Sequence, residues 1–337
     1  MPSHHQHPGD HGAAAHAAEA PIVTRAAPAR SLSRRRLLGL GAGLAVMCCL
    51  PASGKMTNAS SALMTRPIPH SGERLPVIGL GTSRVFDVDG DQAGRRACAA
   101  VLATLVAGGG RLIDTAPSYG TAESVVGDLV AASGLRPRVF LATKLEDYDP
   151  ATGRAQLQAS LQRLRTPRVD LMQLHNLSDP NQDLALLRDW KAQGLTRYIG
   201  ITTSDASDFA AIEAVLRREK PDFVQVNYSL ADRTAEARVI PVANEVGAAV
   251  LTDLPFAGSQ LFDMVRGRAL PSWAAQFDAT SWAQFFLKYL IGNPAVTAVI
   301  PGTANSAHMA DDLGAGRGRL PDPAQRRQMV ALIDALR

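Results

Sequence analysis

"RLIDTAPSYG", Arg111 to Gly120, reads as a short strand running into a turn: Leu112 and Ile113 are apolar, and Pro117 and Gly120 are turn-formers. Yet Asp114 falls where such a strand should still be inside, and Tyr119 follows five residues later. A lone buried carboxylate is costly unless it is paired. The fold must therefore supply both an inner strand end and a partner charge.

Strands of the same kind recur on either side. From about residue 74 the apolar runs "PVIGLGT", "RLIDTA", "VFLATK", "DLMQLHN", "YIGITT", "FVQVNYS", "AAVLTDLP" and "AVTAVIPG" follow one another. Between most of them lie stretches with apolar spacing of three and four, the helical period. These cover Gly94–Ala107, Glu123–Ala132, Ala151–Leu164, Leu184–Gln193, Ala206–Arg217, Ala235–Val246 and Ser281–Ile291. Eight strands alternating with helices over residues 74–337 predict a single-domain (β/α)8 TIM barrel. An open doubly wound sheet would want G-x-G-x-x-G after its first strand. Gly79-Leu80-Gly81 begins that pattern, but Arg84 stands where the third glycine should be.

The segments before the barrel read differently. Residues 1–30 are rich in His, Ala and Pro without periodicity and are expected to be disordered. Residues 31–54 hold Arg34-Arg35-Arg36, an apolar run from Leu37 to Leu50, and Ala52-Ser53-Gly54. Fourteen apolar residues are too few to cross a bilayer core of about 30 Å and suit a signal-peptide core instead. The arginine pair resembles a twin-arginine signal, which implies the twin-arginine export machinery as a partner and a periplasmic or exported destination. An uncleaved anchor, or a cytoplasmic protein whose start lies further on, are the alternatives. Residues 55–73 read as a linker.

Composition narrows the function. The net charge is +4, of which +3 sits in residues 1–54, so the barrel carries almost no excess. A nucleic-acid binder would keep its basic surplus on the folded part. Cys48 and Cys49 lie in the leader and Cys98 is alone in the body, which leaves no disulfide framework and no metal-ligand spacing. Cys98 reads as a small buried helix residue.

Barrel enzymes place their chemistry at the C-terminal strand ends. There the sequence offers Asp114 on the second strand, Lys144 on the third and His175 on the fourth, with Tyr119 in the loop after the second. Singly each has a bland reading: a turn cap, a satisfied core histidine, a packing tyrosine. Together, on successive strands, they can act on one oxygen. The chain has only five lysines, so one at a strand end beside Asp114 suggests an ammonium kept charged. Beside it the Tyr119 phenol is expected to fall below its usual pKa of about 10 and become a better acid. His175 is expected to hydrogen-bond and orient a substrate oxygen. Such a set gives a proton to an oxygen gaining charge, as carbonyl reduction requires. No Ser or Cys nucleophile stands beside a base, and no carboxylate or His cluster suits a hydrolytic metal.

These residues resemble the aldo-keto reductase family. Its Asp-Thr-Ala-x-x-Tyr-Gly pattern stands here as "DTAPSYG", its Thr-Lys as Thr143-Lys144, its strand-four histidine as His175 and its Gly-x-Gly-Thr as Gly79-Leu80-Gly81-Thr82. The likeness covers about residues 74–337. It implies a carbonyl reductase acting on a small-molecule aldehyde or ketone with a nicotinamide nucleotide, bound without a Rossmann domain. By position it puts cofactor contacts at Gly81, Thr82, Thr202, Thr203 and Gln225, then at Pro255, Phe256 and Gly258 over the diphosphate. Gly302, Thr303, His308 and Asp312 follow near the adenosine phosphate. "GITTSD" departs from the family's usual Ser-Asn, and no arginine matches the phosphate grip. By the family's habit NADPH is nonetheless the expected cofactor, with NADH the alternative. Phe86, Asn176, Trp273 and Phe277 are candidate pocket residues that would make an apolar mouth. A non-catalytic nucleotide sensor on the same barrel is the alternative to an enzyme.

Overall fold

The computed structural model describes residues 62–337. A hairpin comes first, β1 (Thr65–Pro67) paired antiparallel with β2 (Arg74–Pro76). Then strands and helices alternate: β3 (Leu80–Gly81), α1 (Gln92–Ala107), β4 (Leu112–Asp114), α2 (Ala122–Ala132), β5 (Phe140–Leu145), α3 (Pro150–Arg163), β6 (Val169–Leu174) and α4 (Ala185–Ala192). Next are β7 (Thr196–Thr203), α5 (Phe209–Glu219), β8 (Phe223–Asn227), α6 (Thr234–Ala237), α7 (Val239–Val246), β9 (Ala249–Asp253) and α8 (Gln260–Met264). The chain ends with α9 (Trp282–Ile291), β10 (Val296–Val299), α10 (Ser306–Ala315) and α11 (Pro323–Asp334). Strands β3 to β10 pair in parallel in chain order. The first and last are joined by the bridges Ile78–Val299 and Gly81–Gly302, so the expected (β/α)8 barrel closes. Close approach at that seam explains its glycines: a Cβ on Gly81 would lie 2.9 Å from the Ile300 carbonyl oxygen.

Strand alternation sorts the side chains. Leu112, Phe140, Ala142, Leu171, Tyr198, Phe223, Leu251 and Ala298 form one buried cluster that fills the lumen. Phe140, Tyr198 and Phe223 pack there with ring centroids 5.6–6.0 Å apart. The intervening residues face the helices and build the larger outer core with α1 to α11. Thr143 and Lys144 show the split: the Thr143 hydroxyl donates outward to Glu123 on α2 at 2.5 Å, while Lys144 turns inward. Glu123 is itself buried and tied to Ser160 and Arg163 of α3.

Two expectations need correction. The stretch 55–73 is not a linker throughout: its described part carries β1, and Ile68 and Leu75 of the hairpin join the lumen cluster as a plug at the barrel's N-terminal end. Glu73 holds it there, accepting from Arg197 and from the Tyr198 hydroxyl. The single helix expected over Ala235–Val246 is two, because the backbone breaks at Arg238 and Pro241 falls in the first turn of α7, where a missing N–H is tolerated. The signal-like segment lies outside the described residues. No helix among the described residues is long and apolar enough to cross a membrane.

Candidate active site

Two residues above the apolar plug, the lumen turns polar. Leu112 leads to Asp114, Ala142 to Lys144, Leu171 to Gln173, Phe223 to Gln225 and Leu251 to Asp253, each two positions along its strand. The Lys144 ammonium is fully buried and donates to Asp114 Oδ2 at 2.7 Å and to the Thr115 carbonyl at 2.8 Å. Burial alone would lower its pKa, but Asp114 and Tyr119 outweigh burial and the net direction is up. Lys144 therefore stays charged. Its Nζ lies 4.8 Å from the Tyr119 ring centroid, and the phenol and the ammonium interact directly. Asp114 holds the lysine, and the lysine faces the tyrosine.

The phenol's direction corrects an expectation. Tyr119 is raised, not lowered, because burial outweighs Lys144, with Asp114 and Asp253 adding to the rise. At neutral pH it is a fully protonated phenol whose anion, once formed, meets an ammonium.

His175 follows β6 and packs edge-on against Tyr119, with ring centroids 5.9 Å apart. Its Nδ1 lies 3.0 Å from Glu146 Oε1, and Glu146 also accepts from the Ser118 amide at 3.1 Å. Glu146 is held below the usual carboxylate range: burial opposes this, but Ser118 and His175 outweigh it. It is therefore an acceptor, so Nδ1 carries the proton. Burial and then Lys144 lower the His175 pKa, so the ring is neutral near pH 7. Its Nε2 then presents a lone pair. In this tautomer Nε2 accepts and does not donate, and the hydroxyl of Tyr119 is the proton donor beside it.

Several members of the site were not singled out from sequence. Gln173 Nε2 donates to Asp114 Oδ1 at 3.3 Å and to Gln225 Oε1 at 3.0 Å, and Gln225 Nε2 donates to Asp253 Oδ2 at 3.2 Å. Glu146, Gln173 and Asp253 all obey the strand-end rule that found Asp114. Asp253 closes "AAVLTD" as Asp114 closes "RLID".

The expected nucleotide contacts are only partly brought together. Thr202 and Gln225 are in register on β7 and β8 and share the lumen side. Thr203 points the other way: its hydroxyl bonds Asp208 at 3.0 Å and accepts from the Asp205 amide, so it shapes the turn before α5. The Thr82 hydroxyl is committed to the Asp114 carbonyl at 2.9 Å, and Gly81 and Gly302 serve the barrel seam. In the β9–α8 loop Pro255 is buried, Gly258 is exposed at φ +70, and the Phe256 ring is anchored on Phe262, 4.8 Å away. Thr303 and Asn305 shape the start of α10, where Asn305 accepts from Ala307 and His308 is exposed on the first turn. Asp312 is buried well along α10. Among the candidate pocket residues, Phe86 and Phe277 are core, and Trp273 packs on Phe277 and Phe285 at 6.0 and 5.5 Å. Asn176 alone is exposed at the mouth, at φ +49.

The site does fit a nicotinamide nucleotide. Buried amide oxygens in the lumen, Gln173 Oε1 and Asn227 Oδ1, have no partner within the protein, and a carboxamide carries two N–H donors. The first turn of α10 offers backbone N–H groups to an anion. Among the described residues no cluster of His, Cys, Asp and Glu could hold a metal.

Comparison with known proteins agrees. Methylglyoxal reductase YeaE of Escherichia coli (strain K12) is 30% identical over 255 residues, covering 73% of this chain and 88% of that protein. A solved aldo-keto reductase of Klebsiella pneumoniae in complex with NADPH is 26% identical with a TM-score of 0.67, covering 81% of this chain and 95% of that one. The model of the aldo/keto reductase family matches residues 77–334, and the chain belongs to that family.

Proposed function

We propose that this chain reduces small aldehydes and ketones to alcohols with NADPH, acting after export from the cytoplasm. The observation that carries the chemistry is the buried Lys144 ammonium, held by Asp114 and set against the Tyr119 phenol at the barrel mouth. When bound, the reduced nicotinamide supplies a hydride to the carbonyl carbon. As the C=O π pair moves onto oxygen, Tyr119 gives that oxygen its proton. The phenolate left behind is stabilised by Lys144 and is reprotonated from solvent. Gln225 and Thr202 would hold the nicotinamide end, the Pro255–Gly258 loop the diphosphate, and the start of α10 the 2′-phosphate. Relatives named methylglyoxal reductases support a small polar carbonyl as substrate. So does the loss of Phe86 and Phe277 to the core, which removes much of an apolar mouth.

The test is Tyr119→Phe with methylglyoxal as probe. Nucleotide binding should persist while turnover, read as loss of reduced-cofactor absorbance, falls by about 10²–10⁴. Unchanged turnover would overturn the assignment.

Export rests on Arg34-Arg35-Arg36 ahead of the apolar Leu37–Leu50 run. Mass spectrometry of the periplasmic protein should find a new N-terminus beyond Leu50. An intact residue 1 there would refute cleavage.

A further inference from the structure

One carboxylate in the barrel mouth is neither the proton donor nor the partner that holds Lys144. Asp253 ends β9 on the lumen side, two residues above Leu251 of the apolar plug. One of its oxygens accepts from Gln225, which is joined through Gln173 to Asp114. A carboxylate, acceptor only, stands at each end of that relay, and this fixes which way the two amides point. The second oxygen, Oδ1, is buried and has no partner. Asn227, in register with Asp253 on β8, also leaves its Oδ1 buried and unpartnered, as Gln173 leaves its Oε1. Every one of these orphan atoms is an acceptor, so what the mouth lacks is a donor or a positive charge.

The loop beyond Asp253 points to a ligand as well. Leu254 sits at φ +46 with 49% of its surface exposed, and Ala257 at φ +51. Such conformations are unfavourable for side chains larger than glycine and cluster at ligand clamps. Asp253 is near enough for its charge to act on Tyr119, Asp114 and Lys144. A ring delivering hydride to a carbonyl held by Tyr119 must lie within this group, because the lumen below is filled.

The oxidised nicotinamide ring is cationic and the reduced ring neutral; both carry the carboxamide. We infer that Asp253 distinguishes the two oxidation states of the bound nucleotide, its free oxygen favouring the oxidised, positively charged ring. The inference rests on the nucleotide reading above. Asp253 thereby lowers the barrier to hydride donation, during which the ring gains positive charge, and it retains the spent nucleotide longer.

Full-length wild type and Asp253→Asn should be titrated with NADPH and with NADP⁺, following tryptophan fluorescence, at one pH and low salt. Asparagine keeps the shape and, through its amide oxygen, the hydrogen bond to Gln225, and it puts an uncharged N–H group where the free carboxylate oxygen stood. The expected result is about a tenfold loss of NADP⁺ affinity, equivalent to about 1.4 kcal/mol, with NADPH affinity changed less than twofold. Asp253→Ser serves as a second variant, and melting curves establish that each is folded. Equal weakening of both nucleotides, or an unchanged affinity ratio, would overturn the inference and leave the reductase reading standing. Failure of folded wild type to bind either nucleotide would overturn both.

Discussion

Glu146 illustrates how much one residue decides. It stands two residues beyond Lys144, yet it serves His175, whose Nδ1 it holds at 3.0 Å. Its carboxylate favours the imidazolium, while burial and Lys144 oppose it, and the balance leaves the histidine below its ordinary pKa. Neutral His175 is the form whose Nε2 carries a lone pair beside Tyr119, so kcat/KM should fall as pH drops through the His175 pKa. Glu146→Gln removes the charge that favours protonation. The acid limb of the pH profile should therefore move to lower pH, and orientation of the ring should weaken, lowering kcat/KM about tenfold. The limb is measured from kcat/KM between pH 4.5 and 8, beside an NMR titration of His175. A limb that stays fixed or moves upward would remove Glu146 from this role.

At the scale of the elements, the sequence was legible wherever an apolar strand ended in an ionisable residue. Asp114, Lys144 and His175 stood at strand ends and lay together, because alternation carries each strand from plug to mouth in two residues. The same arithmetic applied to "AAVLTD" and "LMQL" would have found Asp253 and Gln173. Thr203 is the converse case. It sits one residue beyond Thr202, and a one-residue step in a strand turns the side chain to the opposite face, here toward Asp208. The hairpin of β1 and β2 was not legible at all, since three-residue strands are too short to display a period. Phe86 and Phe277 misled for a related reason: position in a loop says nothing about which way a ring folds back, and both turn into the core. The strain pattern does report the mouth. Among the described residues, four of the seven non-glycine residues with positive φ, Arg84, Asn176, Leu254 and Ala257, lie in loops that follow barrel strands.

For the molecule as a whole, buried ionisable groups make stability depend on pH in a direction that can be worked out. Asp312 is buried in α10, which packs against α1 and α9. Burial first and then Asp311 push its carboxyl up to about 8. In the unfolded chain an aspartate titrates near 3.9, so between about pH 4 and 8 the folded state holds a proton that the unfolded state has lost. Stability therefore falls as pH rises across that window. The limit is about 1.4 kcal/mol per pH unit, so the total is on the order of a few kcal/mol. Asp253, raised to about 6 by burial, adds to the decline over the lower part of the window. Lys288 acts in the opposite sense above it: burial lowers its ammonium to about 8, so its contribution rises with pH from there toward the unfolded value near 10.4. Asp312→Asn keeps a neutral polar group of the same shape and cannot titrate. Its melting temperature should match wild type near pH 4, diverge as pH rises, and exceed it by several degrees at pH 8, as followed by circular dichroism. Parallel curves for the two proteins across that range would mean that the buried carboxyl finds a compensating partner and does not set the pH limit of the fold.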